Sequence, residues 1–246
     1  MRKLSQPLKN TALHPQWLSY RDNVLRGWLQ SVPEGSRVLD VGCNDRWPKK
    51  YLHRSCEYLG LDYYDSANSM YNSQVDLFGD AQNLPIVCES IDCILMFDVL
   101  EHIPDVELAL EEAQRVLVNG GEVLLQMPFI YPIHDAPFDF RRPTKYGLLK
   151  LFNISGFEVV DIAQRGKPLE TASLLTNIAL ASSVGSMFKT KWLPFAVVIA
   201  PFVMTAWVAL NIVGWLASFS SQLDELMPFS YQIRLRKSFR ASLDPS

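Results

Sequence analysis

Short apolar runs alternate with amphipathic stretches along most of the chain. Apolar residues at helical spacing predict helices over residues 14–32, 48–53, 105–118 and 143–154. The apolar runs between them predict strands over residues 37–41, 58–62, 74–78, 91–97, 122–127 and 157–162. Strands that alternate with helices indicate an α/β fold with a mostly parallel sheet covered on both faces. Such a sheet binds ligands beyond the carboxyl ends of its strands.

Capping residues support the predicted helix boundaries. Asp105 has a side chain suited to an N-cap, and the Asn-Gly-Gly at 119–121 is suited to stop the same helix because these residues accept the left-handed helix end. Pro143 suits a first helical turn. Residues 231–237 alternate between apolar and polar positions, which predicts a final strand.

Two stretches near the carboxyl end, 171–188 and 192–223, contain no charged residue. The second is long enough to cross a bilayer, which takes about 20 apolar residues. If residues 231–237 return to the sheet, a single crossing would leave them on the wrong side of the membrane. The pattern therefore favours a re-entrant or interfacial helical pair that docks on the membrane; the alternatives are a spanning helix and a dimer interface or internal core. Residues suited to the headgroup region are Lys189, Lys191, Trp192, Trp207 and Trp215.

Charge and cysteine content narrow the function classes. The formal net charge is -3 over 246 residues, without the basic stripe that a nucleic-acid-binding surface needs. The four cysteines include no C-x-x-C pair, so we expect reduced thiols and no metal site. The opening segment, MRKLSQPLKN, lacks the apolar core of a signal peptide, which favours a cytoplasmic location for the folded domain.

The stretch VLDVGCNDRW at 38–47 begins like a dinucleotide-binding turn but lacks the later glycines. The three glycine positions of G-x-G-x-x-G hold Gly42, Asn44 and Trp47, which makes a poor cradle for a pyrophosphate. A cofactor without phosphates, such as S-adenosylmethionine, asks less of the loop. Asp62 lies about 20 residues further on, where a carboxylate binds ribose hydroxyls in such sites. An ordinary strand-turn-helix with a capping acid is the alternative.

Four segments in order give the chain a family resemblance: VLDVGC, YLGLD, GDAQNLP and FDVLEHIPD. Together they resemble the class I S-adenosylmethionine-dependent methyltransferases of the type 11 group, over about residues 35–165 plus the last strand. The resemblance implies a Rossmann-like sheet, mostly parallel, whose last strand inserts antiparallel beside strand five. The apolar segment would then be a helical insert between strands six and seven.

The resemblance also implies roles for individual residues. Asp40 and Gly42 would lie by the methionine part of the cofactor, and Asp62 would bind the ribose. Asp98 would lie near the amino group or the sulfonium. The implied cofactor-binding set is Asp40, Gly42, Asn44, Asp62, Asp80, Ala81 and Asp98, with Asp80 and Ala81 on the adenine. The chain departs from the family at Asn44 and Arg46, where glycine is usual.

A polar loop follows strand five at residues 127–144 and resembles a motif of methyltransferases associated with cell-surface glycan or lipid pathways. Transfer of a methyl group to a hydroxyl requires removal of the acceptor's proton, and histidine titrates in the right range. We predict His134 as the general base, oriented by Asp139 or Asp135, and Arg141 as a ligand of an acidic or polar substrate group. The alternative is that ion pairs tie the loop together. For His102, packing beside the helix cap is favoured over catalysis.

The sequence thus predicts a membrane-associated methyltransferase on the cytoplasmic face. Its acceptor would be a hydroxyl or similar group of a lipid, lipid-linked or surface-glycan precursor, and a homo-oligomer stays open. The rivals are a non-catalytic methyltransferase-like module that binds a membrane or partner, and a nicotinamide-dependent reductase. The predicted divisions are a tail and helix at 1–34, the methyltransferase domain at 35–170, the apolar insert at 171–228 and the final strand and tail at 229–246.

Overall fold

The computed structural model describes residues 8, 10–21, 24–65, 67, 74–219 and 226–238. The chain forms two compact units, a sheet unit and a helical unit. The sheet unit comprises Asn23–Phe129, Ile133–Ala163 and Tyr231–Ser246. The helical unit comprises Met1–Asp22, Ile130–Pro132 and Gln164–Ser230.

Seven strands form one sheet in the order β3-β2-β1-β4-β5-β7-β6. The first five pair in parallel, β1 with both β2 and β4, β2 with β3, and β4 with β5. The strands are β1 (Arg37–Val41), β2 (Glu57–Asp62), β3 (Leu77–Phe78), β4 (Ile91–Phe97), β5 (Leu117–Pro128), β6 (Phe157–Arg165) and β7 (Ser230–Lys237).

The last strand runs antiparallel to β5. Gln232 donates to the Gln126 side chain at 2.9 Å, Arg234 contacts Glu122 at 2.7 Å, and the Lys237 ammonium reaches the Leu117 carbonyl at 2.7 Å. Residues with increasing numbers in β7 therefore contact residues with decreasing numbers in β5, as in an antiparallel pair. This confirms the mostly parallel sheet with one antiparallel strand that the resemblance implied.

Both faces of the sheet are covered. Alternate side chains of β4 enter different cores because successive residues of a strand point to opposite faces. Ile94 and Met96 lie in one cluster, and Cys93 and Leu95 lie in the other. The helices of this unit are α2 (Val24–Gln30), α3 (Val106–Val116), α4 (Lys145–Ile154) and the 3-10 helices Trp47–Tyr51 and Leu100–His102.

The predicted N-cap Asp105 is present, but other predicted caps and boundaries differ. Asp105 accepts a hydrogen bond from the Leu108 N–H at 3.2 Å, as an N-cap does. The helix predicted to continue to residue 118 ends at Val116, and β5 begins at Leu117. Residues 119–121 therefore form an irregularity in β5, opposite the register shift between Ile91 and Cys93 of β4, rather than a helix end.

Other predicted elements are shorter, or divided. Residues 14–32 hold two helices, α1 (Trp17–Tyr20) and α2, and the third strand is reduced to Leu77–Phe78. Residues 48–53 fall largely within the 3-10 helix Trp47–Tyr51. Thr144 caps α4 by accepting from the Gly147 N–H at 3.2 Å, so Pro143 precedes the cap instead of opening the first turn.

The helical unit contains two long helices, α5 (Pro168–Met187) and α6 (Leu193–Ala217), joined by a short turn that includes Lys189 and Lys191. They pack antiparallel, since Asn177 meets Asn211 and Ser173 meets Gly214. The Asn177 side chain donates to the Asn211 oxygen at 2.9 Å, and both side chains are fully buried. We call α5, the turn and α6 the helical hairpin.

The hairpin carries apolar side chains on its outer surface. Val198 is 63% exposed, Phe202 is 74% exposed and Trp192 is 57% exposed. Among the described residues, Leu193–Ala217 is one helix long and apolar enough to cross a membrane, with a mean hydropathy of 2.2 over its most apolar window. Trp215, which the sequence suggested for the headgroup region, packs against an internal cluster of the helical unit that contains Leu18.

Candidate active site

The loop after β1 is shaped by Gly42. Its φ of 72° lies in the left-handed region, and its N–H donates to the Leu61 carbonyl at 2.8 Å. A Cβ at this position would lie 2.6 Å from Val99 Cγ2. Only glycine therefore lets the chain turn here without strain or steric conflict.

Two further loop residues adopt the conformation that glycine usually supplies. Asn44 has a φ of 40° and Arg46 a φ of 57°. Arg46 forms a two-pronged ion pair with Asp76, with N···O distances of 2.9 and 2.5 Å. Trp47 turns into the core, where its ring centroid lies 5.3 Å from that of Phe97. The substitutions thus keep the turn, and Trp47 packs into the sheet unit.

Asp62 ends β2 beside this loop and is buried, with 6% of its surface exposed. Its Oδ2 accepts from the Asn44 N–H at 3.3 Å, and its Oδ1 accepts from the Tyr63 N–H at 2.9 Å. A carboxylate oriented by two backbone donors is positioned to accept hydrogen bonds from a diol.

Asp40 lies within β1 and is 2% exposed. Burial raises the pKa of its carboxyl to about 7, against the hydrogen bond that Tyr58 donates, and the nearby Asp62 raises it further. The Asp40 carboxyl, with a pKa of about 7, is therefore protonated in part of the molecules and ionised in the rest at neutral pH.

The remaining predicted cofactor residues lie in two places. Asp80 accepts from the Gln82 N–H at 2.9 Å and Ala81 is 7% exposed, so both belong to a tight turn after β3. Asp98 follows β4 with a φ of 56° and accepts from the Gln126 side chain at 2.8 Å. Gly42, Asp62 and Asp98 all lie at the carboxyl ends of the neighbouring strands β1, β2 and β4. This is the edge at which open α/β sheets bind their ligands.

The loop after β5 places His134 beside a buried ion pair. Asp139 accepts from the His134 N–H at 3.0 Å and pairs with Arg142 through both carboxylate oxygens. Burial raises the pKa of Asp139, but the hydrogen bonds from His134 and Arg142 outweigh it, and the pKa is lowered overall. His134 Nδ1 lies 3.5 Å from Asp139 Oδ2 and 3.2 Å from Arg142 Nη2. Asp139, one of the two predicted orienting carboxylates, thus lies against the ring.

Arg141 points elsewhere. Its guanidinium donates to the Pro104 carbonyl at 2.5 Å, whereas the neighbouring Arg142 contacts His134 and Asp139. The role of Arg141 in substrate binding stays a prediction. The arginine that contacts His134 and Asp139 is Arg142, to which the sequence analysis assigned no role.

Glu101 is the residue that the sequence analysis missed. Its side chain is 0% exposed, and neither carboxyl oxygen has a hydrogen-bond partner. Its Oε1 lies 3.7 Å from His102 Nε2 and 3.7 Å from His134 Nε2. Burial, and secondarily the charge of Asp98, raise the pKa of Glu101 well above its usual value. The signal was an acid between the apolar residues Leu100 and Ile103, directly after a buried strand.

This sheet order and this strand-end site define the class I methyltransferase fold. The chain matches the methyltransferase domain family over residues 39–125. It is 30% identical over 203 residues to a demethylmenaquinone methyltransferase of Bacillus velezensis, which covers 72% of this chain and 84% of that protein. The chain therefore belongs to the class I S-adenosylmethionine-dependent methyltransferases, and its cofactor is S-adenosylmethionine.

Two further likenesses agree with this assignment. A demethylmenaquinone methyltransferase of Staphylococcus saprophyticus is 26% identical over 197 residues, covering 63% of this chain and 83% of that protein. The crystal structure of a putative sarcosine dimethylglycine methyltransferase from Galdieria sulphuraria aligns with a TM-score of 0.52 and 17% identity, covering 91% of this chain and 85% of that one. At this identity the structure bears on the fold alone.

Proposed function

We propose that this methyltransferase acts at a membrane, on a hydroxyl or similar acceptor of a lipid, lipid-linked or surface-glycan precursor. One observation carries the proposal: the helical hairpin is polar between its helices and apolar outside. Its buried residues include Asn177 and Asn211, while Val198 and Phe202 face outward. A water-soluble helix has the reverse pattern, so the outer surface fits a lipid environment.

A single membrane crossing would leave residues 231–237 on the wrong side of the membrane, and a hairpin of two antiparallel helices avoids this. The chain enters α5 and leaves α6 at the same end of the hairpin, so a hairpin in lipid returns the chain to the side on which it began. Residues 231–237 are then free to join the sheet as β7. Trp192 and the lysines at 189 and 191 are exposed at the turn, which favours contact with a headgroup region there.

The relatives support the same acceptor class. Both relatives described above carry the name demethylmenaquinone methyltransferase, which points to an apolar quinone as their acceptor. An acceptor of this kind partitions into the membrane, where a docked enzyme meets it at high local concentration.

The residues at the strand ends are suited to in-line methyl transfer. The sulfonium of the cofactor is already activated, so the protein must align the acceptor and promote loss of its proton. We assign this deprotonation to His134, whose ring is held beside Asp139 and is 29% exposed to an incoming acceptor. Asp62 holds the ribose, and Asp40 and Asp98 face the methionine end of the cofactor.

The membrane part is tested by flotation of the full-length protein with anionic lipid vesicles. We expect the wild type to float and a Val198→Glu/Phe202→Glu variant to remain at the bottom. Val87→Glu/Ile154→Glu adds the same charge at exposed apolar positions of the sheet unit, outside the hairpin, and it should float. Calorimetric titration of S-adenosylmethionine checks that each variant is folded.

Two results would contradict membrane docking. One is flotation of the Val198→Glu/Phe202→Glu variant to the wild-type extent. The other is a wild-type protein that fails to float and forms a dimer without detergent, which would assign the apolar surface to a second copy.

A further inference from the structure

We propose that Glu101, His102 and His134 form a site for a divalent transition-metal ion. The proposal rests on the function proposed above for the role of the ion, and on side-chain geometry alone for its binding. The three ligand atoms lie within 4.8 Å of one another.

Glu101 is the observation that points to a ligand. A fully buried carboxylate normally has hydrogen-bond donors, because removing the group from water without a partner is costly. Both oxygens of Glu101 lack such a donor, and its side chain is 0% exposed. Its Oε1 is directed between the Nε2 atoms of His102 and His134, at 3.7 Å from each. A cation between these three atoms would satisfy the carboxylate.

One of the two histidines, His102, is held as metal ligands usually are. The far ring nitrogen of a metal-binding histidine commonly bonds to a backbone carbonyl or a carboxylate, which orients the other nitrogen toward the metal. His102 Nδ1 lies 2.8 Å from the Phe138 carbonyl. His134 Nδ1 lies 3.5 Å from Asp139 Oδ2 and 3.2 Å from Arg142 Nη2, so an ion at His134 Nε2 requires the tautomer that carries its proton on Nδ1, toward Asp139. Both Nε2 atoms thereby face Glu101.

The spacing suits an ion of the size of Zn²⁺. Ligand bonds of about 2.1 Å in a tetrahedral site place the ligand atoms about 3.4 Å apart. The observed distances from Glu101 Oε1 to the two nitrogens are 3.7 Å, and all three ligand atoms lie within 4.8 Å of one another, so a contraction of at most about 1.4 Å in any pair closes the site. Two imidazoles and one carboxylate favour Zn²⁺ or a similar first-row ion over Mg²⁺ or Ca²⁺.

Three protein ligands leave a position open for the methyl acceptor. An acceptor hydroxyl bound there would lose its proton to water at a lower pH, because the ion lowers its pKa. The resulting oxygen would form a bond to the methyl carbon, while the carbon–sulfur bond breaks and its electron pair stays on sulfur. His134 would then promote deprotonation as a ligand of the ion.

The test is titration of chelator-treated full-length protein with Co²⁺, whose visible absorption reports coordination, followed by displacement with Zn²⁺. We expect one ion per chain, and binding at least about 10-fold to 100-fold weaker in Glu101→Gln and His134→Ala, since even outer-shell changes reach that range. His53→Ala is the matched control, because His53 is an exposed histidine near Glu34 outside the cluster, and it should bind as the wild type does.

Calorimetric titration of S-adenosylmethionine into the same metal-free samples separates the two proposals. If the wild type binds the cofactor but no Co²⁺, the metal site is wrong and the proposed function stands. If Glu101→Gln keeps cofactor binding and binds Co²⁺ as tightly as the wild type, the site holds an adventitious ion only, and the proposal is overturned. His102→Gln supplies a second ligand variant should either of the others fail to fold.

Discussion

Asn44 donates its backbone N–H to the Asp62 carboxylate at 3.3 Å, which links the loop after β1 to the end of β2. Asn44 does so with a φ of 40°, at a position where the family usually has glycine. The loop therefore keeps the turn that the predicted cofactor site needs, although Asn44 and Arg46 stand at two positions where glycine is usual.

Replacement of Asp62 by alanine should weaken S-adenosylmethionine binding by about 10-fold to 100-fold, because hydrogen bonds to a charged group contribute about 1.5–3 kcal/mol. Isothermal titration calorimetry measures this. Asp161→Ala removes an exposed carboxylate from β6 and should leave the affinity unchanged. Equal affinities for the two variants would remove Asp62 from the cofactor site.

Gly42→Ala should destabilise the protein by about 2–3 kcal/mol, because the new Cβ meets Val99 and a left-handed residue with a Cβ costs about 1–2 kcal/mol. Thermal unfolding reports the loss. The double variant Gly42→Ala/Val99→Ala should recover only the steric part relative to Val99→Ala alone. Full recovery would mean that the backbone conformation carries no cost.

Asp40 should make stability depend on pH. Burial raises the pKa of its carboxyl from 3.8 to about 7 in the folded protein, so its contribution is fully present below pH 3.8 and is lost as the pH rises through about 7. Between about pH 5 and about pH 8 the wild type should lose about 3 kcal/mol of unfolding free energy relative to Asp40→Asn. Denaturant unfolding across this range measures the difference. Parallel curves for the two proteins would show that Asp40 is ionised throughout.

The buried asparagines should hold the helical hairpin together. Asn211 donates to the carbonyls of Ala12 and His14 at 2.8 and 3.0 Å and accepts from Asn177. Asn211→Leu should lower stability by about 3 kcal/mol, because several buried polar groups lose their partner. Asn153→Leu, at an exposed position of α4, is the control and should change it by less than about 0.5 kcal/mol in thermal unfolding. A small effect at Asn211 would mean that apolar packing alone holds the helices.

The fold was readable from the sequence because β1, β2 and β4 are short, mainly apolar segments whose carboxyl-terminal halves are largely buried. The start of β5 could not be read from the sequence. Residues 119–121 resemble a helix stop, and only pairing with β4 shows that they belong to a strand. Local propensity cannot reveal a register set by a neighbouring strand.

The predicted cofactor loop could be located from the sequence, whereas the full set of residues in the predicted catalytic loop could not. Gly42 and Asp62 are separated by a fixed strand-helix-strand unit, so their spacing carries information. Glu101 and His134 come from separate loops, and their approach depends on tertiary folding. The sequence analysis likewise named Arg141 and gave no role to Arg142, since the direction of each side chain depends on the path of the loop.

The most direct test of the account is transfer of a tritiated methyl group from S-adenosylmethionine to membranes of the source cells. The account predicts label in the organic extract with wild type and with Asp161→Ala, and about 10-fold to 100-fold slower labelling with Asp62→Ala when the cofactor is below its dissociation constant. Label that stays in the aqueous or protein fraction, from a wild-type enzyme that binds the cofactor, would contradict a lipid or lipid-linked acceptor.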